Sequence, residues 1–520
     1  MIKNVIDLTS QDFTGGLNTI QDIFKLKKEE TPNCMNVKFD FDGKMVKRLG
    51  TNTRNSVSLS ESSGTIGVTT AGWASFDFGS GSDNKRWYCV SAGTAVWASS
   101  DMGVSFVRIA SGRTQTYQYM ERSKNILVMT TDAYDPVLYW AGSAGTFAVL
   151  LNGSAPLAKY SVNFAGFLIL LNSSTNKRGF YYENENTQLT GGFNGVLTTG
   201  GSFDFPSSFD DEVTASFTLS NKLFVSTRYA LFAVSFVGGN PDWSFRKIKD
   251  WGFVPRTVDK VNLQFQGESG EVAVGLDWDR RVRVFDGQND AIVSDKVEND
   301  NGMCNFATSK ISYQGSGLTV SFGKTDYNEL VYKLGVAIGP QSGQVTHMVC
   351  LNGRTNAIYP YDYTQSALMT MCMAESGNRR YLLAVDQSGW VHQMDSGNRD
   401  RNTHAINDIV DSPFLFDRSP SNSSKSNKID LFFTVNSAGR LLFQDRIDFS
   451  SSFATRQDIN IGSNNSSVQH YESVDLPSTQ NVYQWRLTSS SSTTVPWELN
   501  RTDYFLNSLG IGREKKSFEN

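Results

Sequence analysis

The chain has 520 residues, with 48 Lys and Arg against 52 Asp and Glu and a formal net charge of -4. This balance gives no broad basic surface that would hold nucleic acid by counterion release, which argues against tight nucleic-acid binding. Hydrophobic residues make up 39% of the chain, and 44 Gly accompany 34 Phe. Such a composition favours short strands joined by tight turns. We therefore predict an all-β protein.

The N-terminal stretch, residues 1–24, lacks the basic and then apolar profile of a secretory signal. The longest apolar run, Phe164 to Leu171, is far shorter than the ~20 residues that span a bilayer. We expect no membrane insertion and a chain made in a reducing cytoplasm. The cysteines are widely separated, include no CxxC pair and predict neither a disulfide framework nor a zinc site; they are Cys34, Cys89, Cys304, Cys350 and Cys372.

Seven segments share one pattern, in which a β-branched or aromatic run, a polar or glycine turn and a second run follow one another. Each predicts an antiparallel hairpin with hydrophobic side chains on a buried face. The segments begin at Arg86, Asn125, Phe164, Asn221, Glu271, His347 and Arg379.

The spacing of these hairpins indicates a β-propeller. Most start roughly 30 to 60 residues apart, close to the ~40 to 50 residues of a four-stranded blade. The wider gap between Glu271 and His347 holds another strand-like pair, Leu318–Val320 and Leu330–Ile338, which allows an extra or degenerate blade. We predict a propeller-like body of about six to eight blades. The alternative is an ordinary multi-sheet β protein.

The segment from Ser99 to Phe106 resembles the Asp-box turn between the outer strands of sialidase-like propeller blades. Its pattern is Ser99-x-Asp101-x-Gly103-x-Ser105-Phe106. The Asp and Ser side chains are expected to bond the backbone of a tight turn in which Gly103 takes a positive φ. The motif is structural and carries no catalytic signal.

The pattern changes from about Asn398. A polar stretch, Asp417 to Lys428, precedes further alternating runs that predict a small C-terminal β-sandwich-like domain. The tail after Trp497 is expected to be too polar to pack by itself and to become ordered only on a partner. We divide the chain into an N-terminal assembly segment with the first strands (1–60), a propeller-like domain (61–400) and a C-terminal β domain with a polar tail (401–520).

No pattern in the sequence carries recognisable chemistry. The histidines lack metal-ligand spacing, and no GxSxG, Walker-type or GxGxxG motif occurs. We expect no enzymatic activity, and we assign no catalytic, cofactor-binding or metal-binding residue and no cofactor. The four histidines are His347, His392, His404 and His470.

Two acidic groups in the sequence have part of the pattern of a functional site. Asp40-Phe41-Asp42-Gly43 is similar to the opening of a calcium loop but lacks the closing glutamate, so a β-turn is predicted. Asp277 and Asp279 offer two carboxylates, as a glycosidase needs. Their neighbours Arg280 and Arg281 favour a solvated charge cluster at a hairpin tip instead.

Four tryptophans are candidate platforms for a sugar. Exposed aromatic rings would stack on carbohydrate, whereas in a propeller they more often fill the core between sheets. Core positions are therefore predicted for Trp243, Trp251, Trp390 and Trp497.

Three segments resemble virion proteins of short-tailed bacteriophages. The first runs from Phe13 to Thr51 and is similar to their N-terminal signature. The second, Asn221 to Val297, resembles blades of propeller-bearing tail hub or nozzle proteins, and the third, Ser412 to Phe443, the domain that follows the propeller. In the first segment the matching positions are Gly15, Gly16, Leu17, Asn18, Asn36, Asp42, Gly43, Lys47, Arg48 and Gly50.

The resemblance implies a structural tail subunit in the virion. Copies of the chain would form a ring, usually sixfold, below the portal and adaptor proteins, carry tail fibres or a plug, and let the genome pass without specific binding. The alternative is a carbohydrate-binding or sialidase-like propeller acting in receptor recognition. A third hypothesis is that the chain is a propeller that acts as an interaction scaffold in an ordinary cell.

Overall fold

The computed structural model describes residues 5–508 except 9–12, 23, 41, 60–72, 78–85, 115–117, 143–146, 191–192, 194–199, 207–210, 239–242, 266–267, 300–303, 305, 313–320, 340–344, 377–378, 402, 416–423, 436–438, 449, 462–467, 477–481 and 490–495. These residues form 43 strands and two 3₁₀ helices, Asp295–Val297 and Thr308–Lys310. The described part of the chain contains no helix long and apolar enough to cross a membrane.

Most strands belong to seven antiparallel sheets of four strands, which we number as blades 1 to 7 in chain order. The prediction of an all-β, propeller-like body with six to eight blades is confirmed. Blades 1 to 4 contain, from the inside outwards, Trp73–Asp77, Arg86–Ala92, Ala95–Ser99 and Val107–Ala110; Gln118–Ser123, Ile126–Thr131, Leu138–Trp140 and Val149–Leu150; Ala158–Phe164, Phe167–Ser173, Gly179–Asn184 and Gly200–Asp204; and Val213–Leu219, Lys222–Thr227, Leu231–Phe236 and Trp243–Lys249.

Blade 7 takes its outermost strand from the N-terminal part of the chain. Asn52–Thr53 pairs with Val391–Gln393, and the innermost strand of blade 7 contacts that of blade 1, which closes the ring. A closed ring leaves only short strand edges open to solvent. Blades 5 to 7 contain Asp259–Phe265, Glu268–Leu276, Val282–Phe285 and Asp290–Ile292; Phe322–Asp326, Val331–Val336, His347–Asn352 and Ile358–Asp362; and Leu368–Ser376, Arg379–Asp386, Val391–Gln393 and Asn52–Thr53.

Each of the seven predicted hairpins is present. Six supply the second and third strands of a blade, whereas the hairpin that begins at His347 supplies the third and fourth strands of blade 6. The suggested extra blade is wrong for the described residues, because Val331–Val336 is the second strand of this same blade. Its suggested companion, Leu318–Val320, lies outside the described residues.

The middle strands of the blades are buried on both faces. Every residue of Phe167–Ser173 is buried, because blades 2 and 4 cover the two faces of blade 3. This double coverage explains an apolar run in the sequence where a half-exposed strand would alternate. Between blades 3 and 4 the core is aromatic, with the Trp243 ring 5.0 Å from that of Phe180.

The remaining strands form a sandwich of two sheets, as predicted for the C-terminal part. The chain switches between the sheets: Ser424–Val435 and the next strand, Gly439–Ile447, lie in different sheets. Sheet A contains, in order, Val468–Asp475, Ser424–Val435, Trp497–Ser508, Met45–Lys47 and Val37–Phe39, with Val5–Leu8 also paired to Trp497–Ser508; sheet B contains Cys34–Met35, Ile409–Asp411, Tyr483–Ser489, Gly439–Ile447 and Ala454–Ile461.

Two short ladders complete the fold. Gly16–Leu17 pairs in parallel with Glu30–Thr31, and Arg399–Asp400 pairs with His404–Ala405.

The expectation for the tail after Trp497 is wrong as far as Ser508. Trp497–Ser508 is a 12-residue strand inside sheet A, paired on one side with Ser424–Val435 and on the other with Met45–Lys47 and Val5–Leu8. Backbone hydrogen bonds along both edges keep this strand ordered, although its polar side chains would not make it fold by itself. Residues 509–520 lie outside the described part.

The N-terminal residues join all parts of the molecule. Their strands enter both sheets of the sandwich and then blade 7, so residues 1–60 do not form a unit of their own in the strand pairing. One continuous core runs from blades 5 and 6 into the sandwich and includes Phe13 and Leu17. The division at residues 60 and 400 otherwise stays a prediction.

Candidate functional site at the junction of the propeller and the sandwich

Arg48 is the central residue of the junction. Its side chain is 1% exposed and donates two hydrogen bonds to Asp400, Nη1 to Oδ1 at 2.8 Å and Nη2 to Oδ2 at 2.6 Å. Nε donates to Oδ1 of Asn36 at 2.7 Å, and Nη2 also donates to the carbonyl of Asp362 at 2.8 Å. The guanidinium lies 4.2 Å from the ring centroid of Tyr363. One arginine thus binds the N-terminal segment, blade 6 and the segment after blade 7.

Lys47, the residue before Arg48, makes a second buried ion pair. Its Nζ lies 2.7 Å from Oδ1 of Asp408, and the two side chains are 1% and 0% exposed. Nζ also donates to Oγ of Ser489 at 2.8 Å, while Nε1 of Trp497 donates to the other carboxylate oxygen at 3.0 Å. An unpaired buried charge is costly, so these contacts stabilise the packing of the sandwich around Lys47 and Asp408.

A third group of charges connects the propeller to sheet A of the sandwich. Nζ of Lys333 lies 3.2 Å from Asp326 and 2.5 Å from Asp395, and Lys38 reaches Glu329 at 2.7 Å. Burial lowers the pKa of Lys333, but the carboxylates of Asp395 and Asp326 outweigh it and raise that pKa well above its ordinary value. Lys333 is therefore a permanent cation in a strand that is otherwise apolar.

The three carboxylates of this group are close enough to share a cation. Ligand atoms of Asp326, Glu329 and Asp395 lie within 4.8 Å of one another, and oxygen ligands suit Ca²⁺ or Mg²⁺. The Nζ of Lys333 already contacts two of them and supplies a compensating charge. This arrangement fits an ion-paired cluster better than a metal site, and the absence of a metal stays a prediction.

A cavity of about 170 Å³ lies between the two bodies at this point. Propeller residues and sandwich residues both line it, and they include charged side chains of the ion pairs and the indole of Trp497. The lining includes Lys38, Lys47, Arg48, Glu329, Asp395 and Trp497. Chemically, the arrangement fixes two β bodies to each other.

The Asp-box prediction is confirmed in detail. The segment connects the third and fourth strands of blade 1, and Gly103 has a φ of +82°. Oδ1 of Asp101 accepts from the backbone N–H of Val104 at 3.1 Å and of Ser105 at 2.9 Å, while Ser99 Oγ accepts from the Gly103 N–H at 2.8 Å. The motif staples the turn, as the residue types indicate.

The predicted turn at Asp40 to Gly43 is also present. The Gly43 N–H donates to the Asp40 carbonyl at 3.1 Å, and Gly43 has a φ of +77°. Lys44 follows and pairs with Glu498 at 3.0 Å. The turn therefore joins two strands of sheet A.

The prediction of a solvated cluster at Asp277 is wrong for that residue. Asp277 is 1% exposed. Its Oδ1 accepts the backbone N–H groups of Asp279 and Arg281 at 2.9 and 2.8 Å, and its Oδ2 accepts from Nε of Arg283 at 2.5 Å. Asp277 closes the hairpin turn from inside, which alternation alone did not indicate, whereas Asp279 is exposed as expected.

The four tryptophans follow the core prediction to different degrees. Trp243 and Trp497 are 6% and 1% exposed. Trp251 is half-buried, with its ring 5.0 Å from that of Phe253, and Trp390 is half-buried as well. None of the four is a fully exposed platform.

Sequence reasoning missed the acidic partners at the junction. The signals available were charged residues inside apolar strands, such as Lys333 within the fully buried Val331–Val336. A cation at such a position requires a buried partner, but the sequence does not say which carboxylate supplies it. The missed partners are Asp326, Glu329, Asp395, Asp400 and Asp408.

Comparison with known proteins returns structural similarity alone. No family model matches the chain, and no curated protein matches it. Among solved structures, the extracellular domain assigned to a hybrid two component system of B. thetaiotaomicron is 10% identical, with a TM-score of 0.40; the match covers 73% of this chain and 43% of that one. The WD40 domain of Neurospora crassa Pan2 is 8% identical, with a TM-score of 0.38, and the match covers 66% of this chain and 96% of that one.

Proposed function

We propose that this chain is a structural subunit of a bacteriophage tail, in the hub or nozzle ring below the portal and adaptor, where it forms part of the channel for genome retention and ejection. One observation carries the proposal. The segment Phe13 to Thr51, which resembles the phage N-terminal signature, is the segment that joins the propeller to the sandwich.

The physical demand on a tail ring supports this assignment. A wall around packaged DNA must keep its shape under pressure, and its parts must not rotate against each other. Separating the sandwich from blade 6 would take the buried Arg48 guanidinium away from the Asp362 carbonyl and would break the partly buried ion pair between Lys38 and Glu329, and both losses cost free energy. Buried ion pairs at a junction therefore suit a subunit that transmits force.

The proposal includes specific partners. Copies of the chain would assemble in a ring, with portal and adaptor proteins above and fibres or a plug attached. Genomic DNA would pass along the wall without sticking, for which a net charge of -4 is suitable. The virion tail is the proposed location, after synthesis in the host cytoplasm.

Immunogold electron microscopy on purified particles tests the proposal. An antibody against this chain should label the tail below the portal vertex, and antibody pre-absorbed with the purified chain should remove the label. Particles that contain portal protein but show no label would contradict the tail assignment.

A carbohydrate-binding or sialidase-like propeller remains a second candidate because of one surface feature. Tyr229 is 54% exposed in the turn between two strands of blade 4. The Arg228 guanidinium lies 5.4 Å from the centroid of this ring and 5.0 Å from that of Trp278. An aromatic ring beside a cation is a surface on which a sugar could stack and bond. Binding to a glycan array that Tyr229→Ala abolishes and Tyr471→Ala preserves would favour this candidate.

A further inference from the structure

The sandwich has an open strand edge. Val468–Asp475 is the last strand of sheet A, and among the described residues only Ser424–Val435 pairs with it. Beside it, Ala454–Ile461 is the last strand of sheet B. The Gln457 side chain donates to Glu472 and links the two strands. We call these two strands the acidic edge.

The first of these strands lacks the usual protection of an edge. Proteins normally blunt open edges with proline, lysine or a bulge. Val468–Asp475 contains neither residue type, and its eight pairs with Ser424–Val435 run without a register shift. The neighbouring strand does have an irregularity, opposite Phe443 and Gln444. A regular strand of this length is a template for pairing with another chain.

Three acidic side chains lie on the acidic edge: Asp458, Glu472 and Asp475. Its single cation, Arg456, donates to Oδ1 of Asp445 at 2.6 Å and is thereby neutralised within the sandwich. Asp458 pairs with Arg440 at 3.4 Å, but both side chains are exposed, at 46% and 54%, so water screens this pair. Asp475 is exposed as well. The edge therefore offers negative charge to a partner.

An edge of opposite charge lies on the propeller. Trp243–Lys249 is the outermost strand of blade 4 and the longest outermost strand among the described blades. It carries Arg246, Lys247 and Lys249 and no acidic residue. Lys249 pairs with Asp290 of blade 5 at 2.6 Å, which leaves Arg246 and Lys247 as the charges for a partner. The pair between Lys247 and Asp250, with side chains 49% and 89% exposed, is weak because water screens it. We call this strand the basic edge.

We propose that copies of this chain associate by pairing the acidic edge of one copy with the basic edge of the next. Like charges directly opposite each other are unfavourable across strands, so neither edge can pair well with its own equivalent in a second copy. The contact is therefore head to tail. Contacts of this kind build a ring when the rotation closes and a filament when it does not.

This inference rests on the proposed function for one step alone, the closure of the contacts into a ring. The pairing of the edges rests on their position and charge and on the regularity of Val468–Asp475. A second copy is favoured as the occupant because the chain itself carries both complementary surfaces on different bodies.

Charge reversal tests the proposal on the full chain. The first variant, Arg246→Glu with Lys247→Glu, makes both edges acidic; the second, Asp458→Lys with Asp475→Lys, makes both basic. In mass photometry each variant alone should associate at least about 100-fold more weakly than the wild type. An equimolar mixture should restore assembly, because acidic edges then meet basic edges at every contact.

The control reverses exposed charges elsewhere. Lys177→Glu with Lys222→Glu changes the net charge as much as the first variant and should leave assembly as in the wild type. Unchanged thermal midpoints establish that the variants fold. A wild type that is monomeric throughout the accessible concentration range, or reversed variants that assemble normally, would overturn the proposal.

The outcomes separate this inference from the proposed function. If the antibody labels the tail but charge reversal does not change assembly, the tail assignment stands and the edge interface is rejected. Edge-dependent assembly without tail labelling keeps the interface and removes the phage assignment.

Discussion

Arg48 and Asp400 bind each other through two parallel hydrogen bonds of 2.8 and 2.6 Å, although 352 positions separate them in the chain. Both side chains are almost completely buried, at 1% and 6% exposure. The pair ties the N-terminal segment to the segment that follows the last blade, so the integrity of the junction depends on it.

Replacing Asp400 by Asn should destabilise the protein by about 3 to 5 kcal/mol, because the Arg48 charge stays buried without its counter-charge. Urea unfolding followed by tryptophan fluorescence measures the change. Asp279→Asn, at an exposed turn position, should alter the free energy of unfolding by no more than about 0.5 kcal/mol. Equal effects of the two substitutions would contradict a special role for the pair.

Gly50→Ala should lower the free energy of unfolding by about 1 to 3 kcal/mol or prevent folding. A Cβ at this position would lie 2.1 Å from the carbonyl oxygen of Arg399, a backbone atom that cannot move independently. Gly153→Ala is the matched control, since nothing lies within 4 Å of its added Cβ. Thermal unfolding of both variants checks this prediction, and a midpoint for Gly50→Ala at or above that of Gly153→Ala would refute it.

Acidification should weaken the fold through His347. Burial lowers its pKa below the ordinary value, an effect that Asp362 offsets in part. Below a pH of about 6.5 the unfolded chain gains a proton that the folded chain resists, so stability falls as pH drops through that value. Between pH 7.5 and 5.5 the free energy of unfolding should therefore fall less in His347→Gln than in the wild type. Identical losses in wild type and variant, measured by urea unfolding, would speak against it.

The Asp-box turn should depend on the charge of Asp101. Burial raises its pKa, but hydrogen bonds from Ser105 and Ser99 outweigh this and lower it below the ordinary value. Its stabilising contribution is therefore present above a pH of about 4 and disappears as pH falls through the folded-state pKa. Asp101→Ala should cost about 1 kcal/mol at neutral pH. Hydrogen exchange should show faster opening at Val104 and Ser105, while unchanged exchange there would argue against the staple.

Local patterns predicted the propeller well because its blades are made of neighbouring strands. The hairpin that begins at Arg86 needs only its own runs and turn, and the Asp box needs only the side chains of its own turn. Turn chemistry and hydrophobic runs act within a few residues, so one sequence contains the information.

The junction could not be predicted in the same way. Met45–Lys47 pairs with Trp497–Ser508, and no local feature of either strand specifies a partner more than 400 residues away. The burial of Asp277 was missed for a different reason: Arg283, its ion-pair partner in the same hairpin, converts an apparent surface carboxylate into part of the hairpin interior. Long-range pairing decides the junction, whereas Asp277 is fixed by a local ion pair that the alternation of the strand does not reveal.

The strand Asn52–Thr53 that completes blade 7 also sets an order of events during synthesis. Thr53 leaves the ribosome 339 residues before His392, its partner across the ladder. At 5 to 20 residues per second this interval lasts roughly 17 to 70 seconds. During that time the strand Asn52–Thr53 has no partner while the blades are made, and the ring cannot close until about three quarters of the chain has been translated. A chaperone that shelters the nascent N-terminus would act in this interval.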